Sequence, residues 1–364
     1  MDSIAIIGCG YVGYSLIKLF QNKFSIIGYD ISYKRIDYLK KNNIHKNITY
    51  TTNDRLLKNC NIYIIAVPTN IKDNKSIDLS HLYKVQKILK KYVQPYNIII
   101  LESTIHIGGT RELFSNFLKD NIYIGYSPER ISPGEYDNSK TIPKIISGLN
   151  RKSLHVIKSI YSQVVDIIVP VSSTETAELC KLYENCFRVI NIAYVNEIAD
   201  LSKMHNINFQ EIINASSTKP FGFMSFYPGF GIGGDCLPQN PYYLMHGLRD
   251  SKKDLPILYN SINYLNNRPF CKVTEFIKFN KILIIGIGFK PSQILSTLSP
   301  TLTLYKELKK KNKNVIIYNN ILKLKLKYIK QFDCIILGSQ YKSLIYNLII
   351  INYKLYKYGQ VFTF

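Results

Sequence analysis

Apolar positions in this chain fall into short blocks separated by polar, helix-like stretches, and the alternation begins at the first residues. Ile4–Ile7 predicts a short buried strand. Tyr14–Phe20 predicts a helix, and Phe24–Tyr29 a second strand ending at Asp30. Ile62–Val67, Asn97–Leu101 and Ile122–Tyr126 predict further strands. Between them Ser80–Tyr92 predicts a helix, with Asp78 or Ser80 as its cap. Strands alternating with helices favour a parallel sheet covered on both faces.

The pattern changes after Val171. Ser172 and Glu175 have the spacing of a capping box, and the helix they open is expected to reach about His205. Leu179, Leu182, Cys186, Val189 and Ala193 recur at three- and four-residue steps and predict one buried face. Lys181 and Asn185, four apart, share a second face. So long a helix spans domains or builds a dimer interface. A second alternating unit starts near Lys281, with strands Ile282–Ile285, Val315–Tyr318 and Cys334–Leu337 and a helix Pro300–Lys311. The expected architecture is α/β: two Rossmann-like parallel-sheet domains joined by a long central helix. The expected domains are 1–171, which binds a dinucleotide, 172–270, central and helical with a role in dimerisation, and 271–364, a short C-terminal domain.

Candidate chemistry enters at Gly8-Cys-Gly-Tyr-Val-Gly13, set between the first strand and its helix. In a GxGxxG loop the first glycine permits the tight turn, the second lets the backbone approach a pyrophosphate, and the third lets helix and strand pack. The helix N-terminus offers free N–H groups to phosphate. Asp30, at the end of the second strand, is placed for the ribose hydroxyls of NAD and repels an added 2′-phosphate; Lys34 and Arg35 weaken that repulsion, and NAD is preferred over NADP. Thr69, Thr104 and Glu129 lie just past other strand ends, where open α/β sheets bind ligands. The second unit's loop, Gly286-Ile-Gly288, lacks the third glycine, and Asn319 stands where an acid would, so that domain is expected to hold something other than NAD.

Gly233-Gly234-Asp235-Cys236-Leu237-Pro238 presents a cysteine on a glycine-rich loop, placed to attack a carbonyl carbon as thiolate. A structural thiol is the plainer alternative. The seven cysteines show no CxxC and no paired spacing, which suits reduced thiols in a cytoplasmic setting. The six histidines form no zinc motif, so no metal is expected. The chain opens without a signal-peptide pattern, and its apolar run Leu348–Ile351 is too short for a membrane span. With 46% hydrophobic and 20% charged residues, global disorder is excluded. The net charge of +22 comes from lysines scattered along the whole length, Lys309–Lys311 among them, which reads as compositional bias and not as a nucleic-acid patch.

These segments, in order, resemble the UDP-glucose/GDP-mannose dehydrogenase family, the nucleotide-sugar 6-dehydrogenases. The likeness is carried by Gly8–Gly13, Val67-Pro-Thr69, Glu102-Ser-Thr104, Ser127-Pro-Glu-Arg130 with Pro133-Gly134, and Pro143-Lys-Ile145. It continues through Thr176-Ala-Glu178, Lys181, Glu184-Asn185, Arg188, Asn191-Ile-Ala193, Asn196-Glu197, Thr218–Gly234, Cys236 and Pro241–Leu244. Thr218–Met224 and Tyr227-Pro-Gly229 resemble the branch acting on UDP-N-acetylhexosamines. The resemblance implies an enzyme oxidising the C6 alcohol of a UDP-sugar to a uronic acid with two NAD, through a thiohemiacetal and a thioester on Cys236. It implies that Lys181 stabilises an oxyanion, Asn185 supports it, and Thr104 and Glu129 position water and relay protons. Gly8, Gly10, Tyr11, Val12, Gly13, Asp30, Arg35, Pro68, Thr69 and Thr104 would hold the cofactor. Glu129, Arg130, Lys181, Phe226, Tyr227, Gly229, Gly233 and Lys290 would hold the sugar nucleotide, with the backbone N–H groups of loop 221–234 facing phosphate. A homodimer is implied as well.

The chain departs from that pattern in places. Asn240 replaces an aspartate four residues after the cysteine, and an amide cannot accept a proton. Asp235 stands where the branch has histidine, and a carboxylate beside the thiol disfavours its ionisation. His106 interrupts the Glu-Ser-Thr segment, Thr297 replaces a cofactor-binding arginine, and the chain ends at Phe364, earlier than the family pattern. These departures raise the alternative of a catalytically impaired member that binds NAD or nucleotide without full turnover.

Overall fold

A six-stranded parallel sheet organises the first half of the chain in this computed structural model, which describes residues 2–130, 140–287, 298–311, 314–318, 331–338 and 362–363. In chain order the elements are β1 (Ser3–Ile7), α1 (Tyr11–Phe20), β2 (Ser25–Tyr29), α2 (Tyr33–Asn42), β3 (Ile48–Thr51) and β4 (Ile62–Ile65). A small antiparallel pair, β5 (Asn70–Ile71) and β6 (Ile77–Asp78), precedes α3 (Ser80–Tyr92), β7 (Ile98–Leu101), α4 (Gly109–Phe114) and β8 (Tyr123–Tyr126). The strand order is β3-β2-β1-β4-β7-β8. Strand β9 (Lys144–Ile146) and β10 (Ile168–Pro170) form a separate parallel pair around α5 (Arg151–Tyr161).

Both faces of the main sheet are buried. Ala5, Ile7, Tyr63, Ile65, Ile99 and Leu101 pack on one side; Ile4, Ile6, Ile62, Ile64, Ile98 and Ile100 pack on the other. This is why the strands read as unbroken apolar runs, as in parallel sheets generally. Burying each such isoleucine contributes about 1.5–3 kcal/mol.

Helix α6 (Thr174–Met204) follows, then α7 (Phe209–Ser216), α8 (Asn240–Leu244), α9 (Ser251–Asp254) and α10 (Pro256–Phe276). The second parallel sheet contains β11 (Ile282–Ile285), β12 (Val315–Tyr318), β13 (Cys334–Leu337) and β14 (Phe362–Thr363), in the order β12-β11-β13-β14, with α11 (Pro300–Lys311) between β11 and β12. Its core joins Phe230, Val273, Phe276, Ile282, Ile284, Leu304 and Leu308. Pro269 lies inside α10 and has no N–H to give the carbonyl of Leu265. Gly231, at φ +141°, sits over that carbonyl; a Cβ there would lie 2.7 Å from its oxygen. The chain divides into two units, Met1–Glu184 with Tyr242–His246 and Asn185–Pro241 with Gly247–Phe364.

Several local expectations are corrected. Helix α1 begins at Tyr11, three residues before the predicted start, because Gly10 serves as its N-cap. Neither Asp78 nor Ser80 occupies the cap position of α3; Leu79 does, and Asp78 reaches forward to accept from the Ser80 N–H at 2.9 Å. At α6 it is Ser173, not Ser172, whose hydroxyl accepts from a backbone amide, that of Thr176. Glu175 turns away to pair with Arg111 at 2.7 Å. Leu182, Cys186, Val189 and Ala193 are buried as expected, but Leu179 lies at the margin of the stripe and is 42% exposed. Among the described residues, no helix is long and apolar enough to cross a membrane, and no group of three or more His, Cys, Asp or Glu could hold a metal.

Candidate active site

The glycine loop is built for a phosphate. Gly8 has φ +93°, and a Cβ there would meet the Ala66 carbonyl oxygen at 2.6 Å. A Cβ on Gly13 would lie 1.8 Å from the Gly8 carbonyl oxygen, so this glycine lets α1 seat against the loop. A Cβ on Gly10 would point into open space, the cradle a pyrophosphate needs beside the helix N-terminus. The Asp30 carboxylate accepts from the Cys9 and Ser32 amides at 2.8 and 2.9 Å, which fixes it beside the loop. Arg35 Nε donates to the Cys9 carbonyl at 2.7 Å, so its guanidinium braces the loop. Tyr11 is exposed, Val12 and Thr69 are half-buried, and Pro68 is exposed just beyond β4. Thr69 shares a hydrogen bond with the Tyr243 hydroxyl. These residues fit an NAD dinucleotide.

In the same unit Glu129, 9% exposed, follows β8. Its Oε1 accepts from the Arg130 amide at 2.7 Å, and its backbone carbonyl accepts from Lys181 Nζ. The Arg130 guanidinium meets Glu184 at 2.7 Å and the Pro143 carbonyl at 3.0 Å. Thr104 is half-buried in the segment after β7. Behind Glu129, buried Lys144 at the start of β9 binds Glu102 Oε2 at 2.6 Å, and the Tyr161 hydroxyl donates to Glu102 Oε1. Burial pushes the Glu102 carboxyl up to about 7, against the pull of Lys144 and with a further push from Glu129.

The second unit holds the cysteine. Cys236 is exposed, and its carbonyl accepts from the Asn240 backbone at 3.0 Å and the Asn240 side chain at 2.7 Å. The Asn240 carbonyl oxygen in turn accepts from Asn185 Nδ2 at 3.1 Å. Asn240, 2% exposed, is thus engaged through both ends of its amide. The structure brings Cys236, Asn240 and Asn185 together, with Asn240 as a clamp on the loop backbone.

The loop before the cysteine has its own anchors. The Gly229 N–H donates to Asn196 Oδ1 at 2.8 Å, and its carbonyl accepts from Arg268 Nε at 2.6 Å. That one amide therefore serves the protein. Arg268 is held by Asp200 at 2.6 Å, and Lys272 meets the same carboxylate at 2.7 Å. Burial raises Asp200, but hydrogen bonds from Arg268 and Lys272 outweigh it and hold its carboxyl at about 2. Phe226 stacks edge-on with Phe187 at 6.0 Å, and Tyr227 is exposed. Gly233 is buried, and a Cβ there would meet Pro300 at 3.0 Å, so the loop packs closely at this glycine. Lys290, Thr297, Asn319 and Pro133-Gly134 lie outside the described residues.

Sequence reasoning missed the parts played by Asn196, Arg268, Lys144 and Tyr161. Lys144 was readable only as part of the Pro143-Lys-Ile145 segment of the family likeness, with no role attached to it.

Residues 2–165 match the NAD binding domain, and residues 175–268 the central domain, of the UDP-glucose/GDP-mannose dehydrogenase family. The chain is 37% identical to Protein CapL of Staphylococcus aureus, over 67% of this chain and 62% of that protein. It is 35% identical to a UDP-N-acetyl-D-glucosamine 6-dehydrogenase of Salmonella typhi, again over 67% of this chain and 62% of the relative. The chain thus spans less than two-thirds of these curated relatives. Among solved structures it is similar to a UDP-D-ManNAc dehydrogenase from Pyrococcus horikoshii, with TM-score 0.84 and 25% identity over 93% of this chain and 90% of the other.

Proposed function

The chain belongs to the UDP-glucose/GDP-mannose dehydrogenase family, and from that premise we propose that it oxidises the C6 alcohol of a UDP-sugar to a uronic acid. A UDP-N-acetylhexosamine is the preferred substrate, because similar proteins are named for acetamido sugars; UDP-glucose is the alternative. The observation that carries the reading is Cys236, an exposed thiol behind Gly233-Gly234 with its carbonyl fixed by Asn240.

NAD, when bound, supplies the hydride acceptor for both oxidations. Gly10 and the first amides of α1 would hold its pyrophosphate, and Asp30 its ribose hydroxyls. Cys236 adds to the C6 aldehyde left by the first oxidation, giving a thiohemiacetal. The second oxidation leaves a thioester on Sγ. Water then cleaves the C–S bond, releasing the carboxylate and restoring the thiol. Lys181 offsets the oxyanion charge, with Asn185 supporting it. Glu129 and Thr104 position water and pass on the protons released. Residues 1–171 serve the cofactor and residues 271–364 the sugar nucleotide. A homodimer is proposed too, supported by exposed Tyr183, Tyr194, Leu201 and Met204 on α6.

The test is purified protein with NAD and a panel of UDP-sugars, following NADH absorbance. An active dehydrogenase yields two NADH per sugar; folded protein giving none with every sugar defeats the reading. One observation favours a second reading, an enzyme that stalls at the thioester. Asn240 has no proton-accepting group, and both ends of its amide are occupied. A mass increase on Cys236 after incubation with substrate and NAD identifies that state.

A further inference from the structure

Lys144 has no role in the chemistry above, yet it is 7% exposed and sits between two carboxylates. Its ammonium lies 2.6 Å from Glu102 Oε2, 3.7 Å from Glu129 Oε2 and 3.2 Å from the Pro128 carbonyl, and 5.5 Å from the centre of the Tyr161 ring. A buried lysine is costly unless paired and hydrogen-bonded. Surface solubility cannot explain it, and a neutral residue of similar length would suit a buried strand start at less cost. Burial pulls the ammonium toward neutrality, and Glu102 with Glu129 outweighs that, so the lysine stays charged. Glu129 and Lys144 also share the wall of a small cavity with Ser15, Leu16, Arg130 and Pro143.

We infer that Lys144 is a positioning residue for Glu129: anchored from behind by Glu102 and the Pro128 carbonyl, its ammonium holds the Glu129 carboxylate and divides one positive charge between two acids. The inference rests on the reading of Glu129 as a proton-handling group. The other charged or titratable groups around this pair are Tyr161 from α5, Lys181 and Glu184 from α6, Tyr126 on β8 and the adjacent Arg130. Lys181 donates to the Glu129 backbone carbonyl and Arg130 to Pro143 and Glu184, while Lys144 Nζ approaches the Glu129 carboxylate itself at 3.7 Å. Glu102 then acts as a proton-dependent gate on that charge. When Glu102 is protonated, the ammonium serves Glu129; when it ionises, the charge is shared.

Two arms test this. The first follows the Glu102 carboxyl by ¹³C NMR in glutamate-labelled full-length protein without substrate, assigned with Glu102→Gln. The wild-type transition is expected near pH 7, raised from the usual carboxylate range by burial. It is expected to fall in Glu129→Gln, where the repulsion is lost, and to rise by about one unit or more in Lys144→Met. The second arm measures kcat and KM with NAD and the best sugar of the panel. Lys144→Met is expected to lose kcat about tenfold or more while both KM values stay within about threefold. Glu102→Gln is expected to remove an inflection near pH 7 from the kcat profile. If Lys144→Met does not fold, Glu129→Gln and Glu102→Gln carry the test. A Glu102 transition unmoved in Glu129→Gln, or a folded Lys144→Met with wild-type kcat, overturns the inference. The NMR arm needs no turnover, so an inactive wild type defeats the dehydrogenase reading alone.

Discussion

In the first unit Glu129 lies among charges, with Lys144 and Glu102 behind it and Lys181 on its carbonyl. In the second unit Cys236 lies among amides, its carbonyl held by Asn240 and Asn240 held by Asn185. The two clusters solve different problems. Charges buried together respond to pH and to one another; amides do not titrate and give fixed geometry. The difference teaches that the carboxylate part of the pH dependence should enter through the Glu129 cluster, while the cysteine end, whose thiol reacts as thiolate, governs whether covalent chemistry occurs and completes.

The sharpest way to break that division is Cys236→Ser. Four-electron turnover should fall by about 10³-fold or more, because a hydroxyl is a poor nucleophile for capturing the aldehyde. NADH stoichiometry per sugar checks it, and near wild-type turnover would remove the cysteine from the chemistry. Next is Asn240→Asp, which puts a titrating group into the amide cluster. If hydrolysis limits the rate, turnover should rise about tenfold and any adduct on Cys236 should vanish, as rapid-quench mass spectrometry would show. The same change loses the donor to the Cys236 carbonyl at a site only 2% exposed, so stability should drop by about 1–3 kcal/mol.

A stability measurement sharpens the charged side. Glu102 has its folded value raised from 4.5 to about 7. Below the lower value both states are protonated and nothing is lost. As pH rises between the two values the unfolded chain ionises first, so folding stability declines, and above the upper value the loss is complete. Glutamine does not titrate. Wild type should therefore lose on the order of 3 kcal/mol relative to Glu102→Gln between pH 4.5 and 7.5, read by urea unfolding. Equal pH dependence in both proteins would remove Glu102 from the network.

Much of the fold was legible because it depends on local rules. Buried parallel strands such as Ile62–Ile65 announce themselves as apolar runs, and the glycine loop carries its stereochemistry in its spacing. The capping serine of α6 was misplaced by one residue because adjacent hydroxyls are equivalent until the helix start is known. Strands β3 and β9 were missed since Thr49, Thr51 and Lys144 interrupt their apolar character. The clamp residues were illegible for a different reason. Asn196 and Arg268 act on Gly229 from 33 and 39 residues away, and no local pattern encodes that meeting.

That meeting divides the aromatic loop mechanically. Gly229 is pinned through both backbone polar groups, while Phe221, Phe223 and Met224 ahead of it are exposed and Phe230 behind it is buried in a core. The segment is therefore not one flap: an exposed arm, residues 221–224, runs through Ser225, hydrogen-bonded to Ser217, and Phe226, packed on Phe187, into a fixed post. An arm that short relaxes like a surface loop, in nanoseconds to microseconds, and not on the slower clock of domain closure. Motion of that arm leaves the core around Phe230 packed.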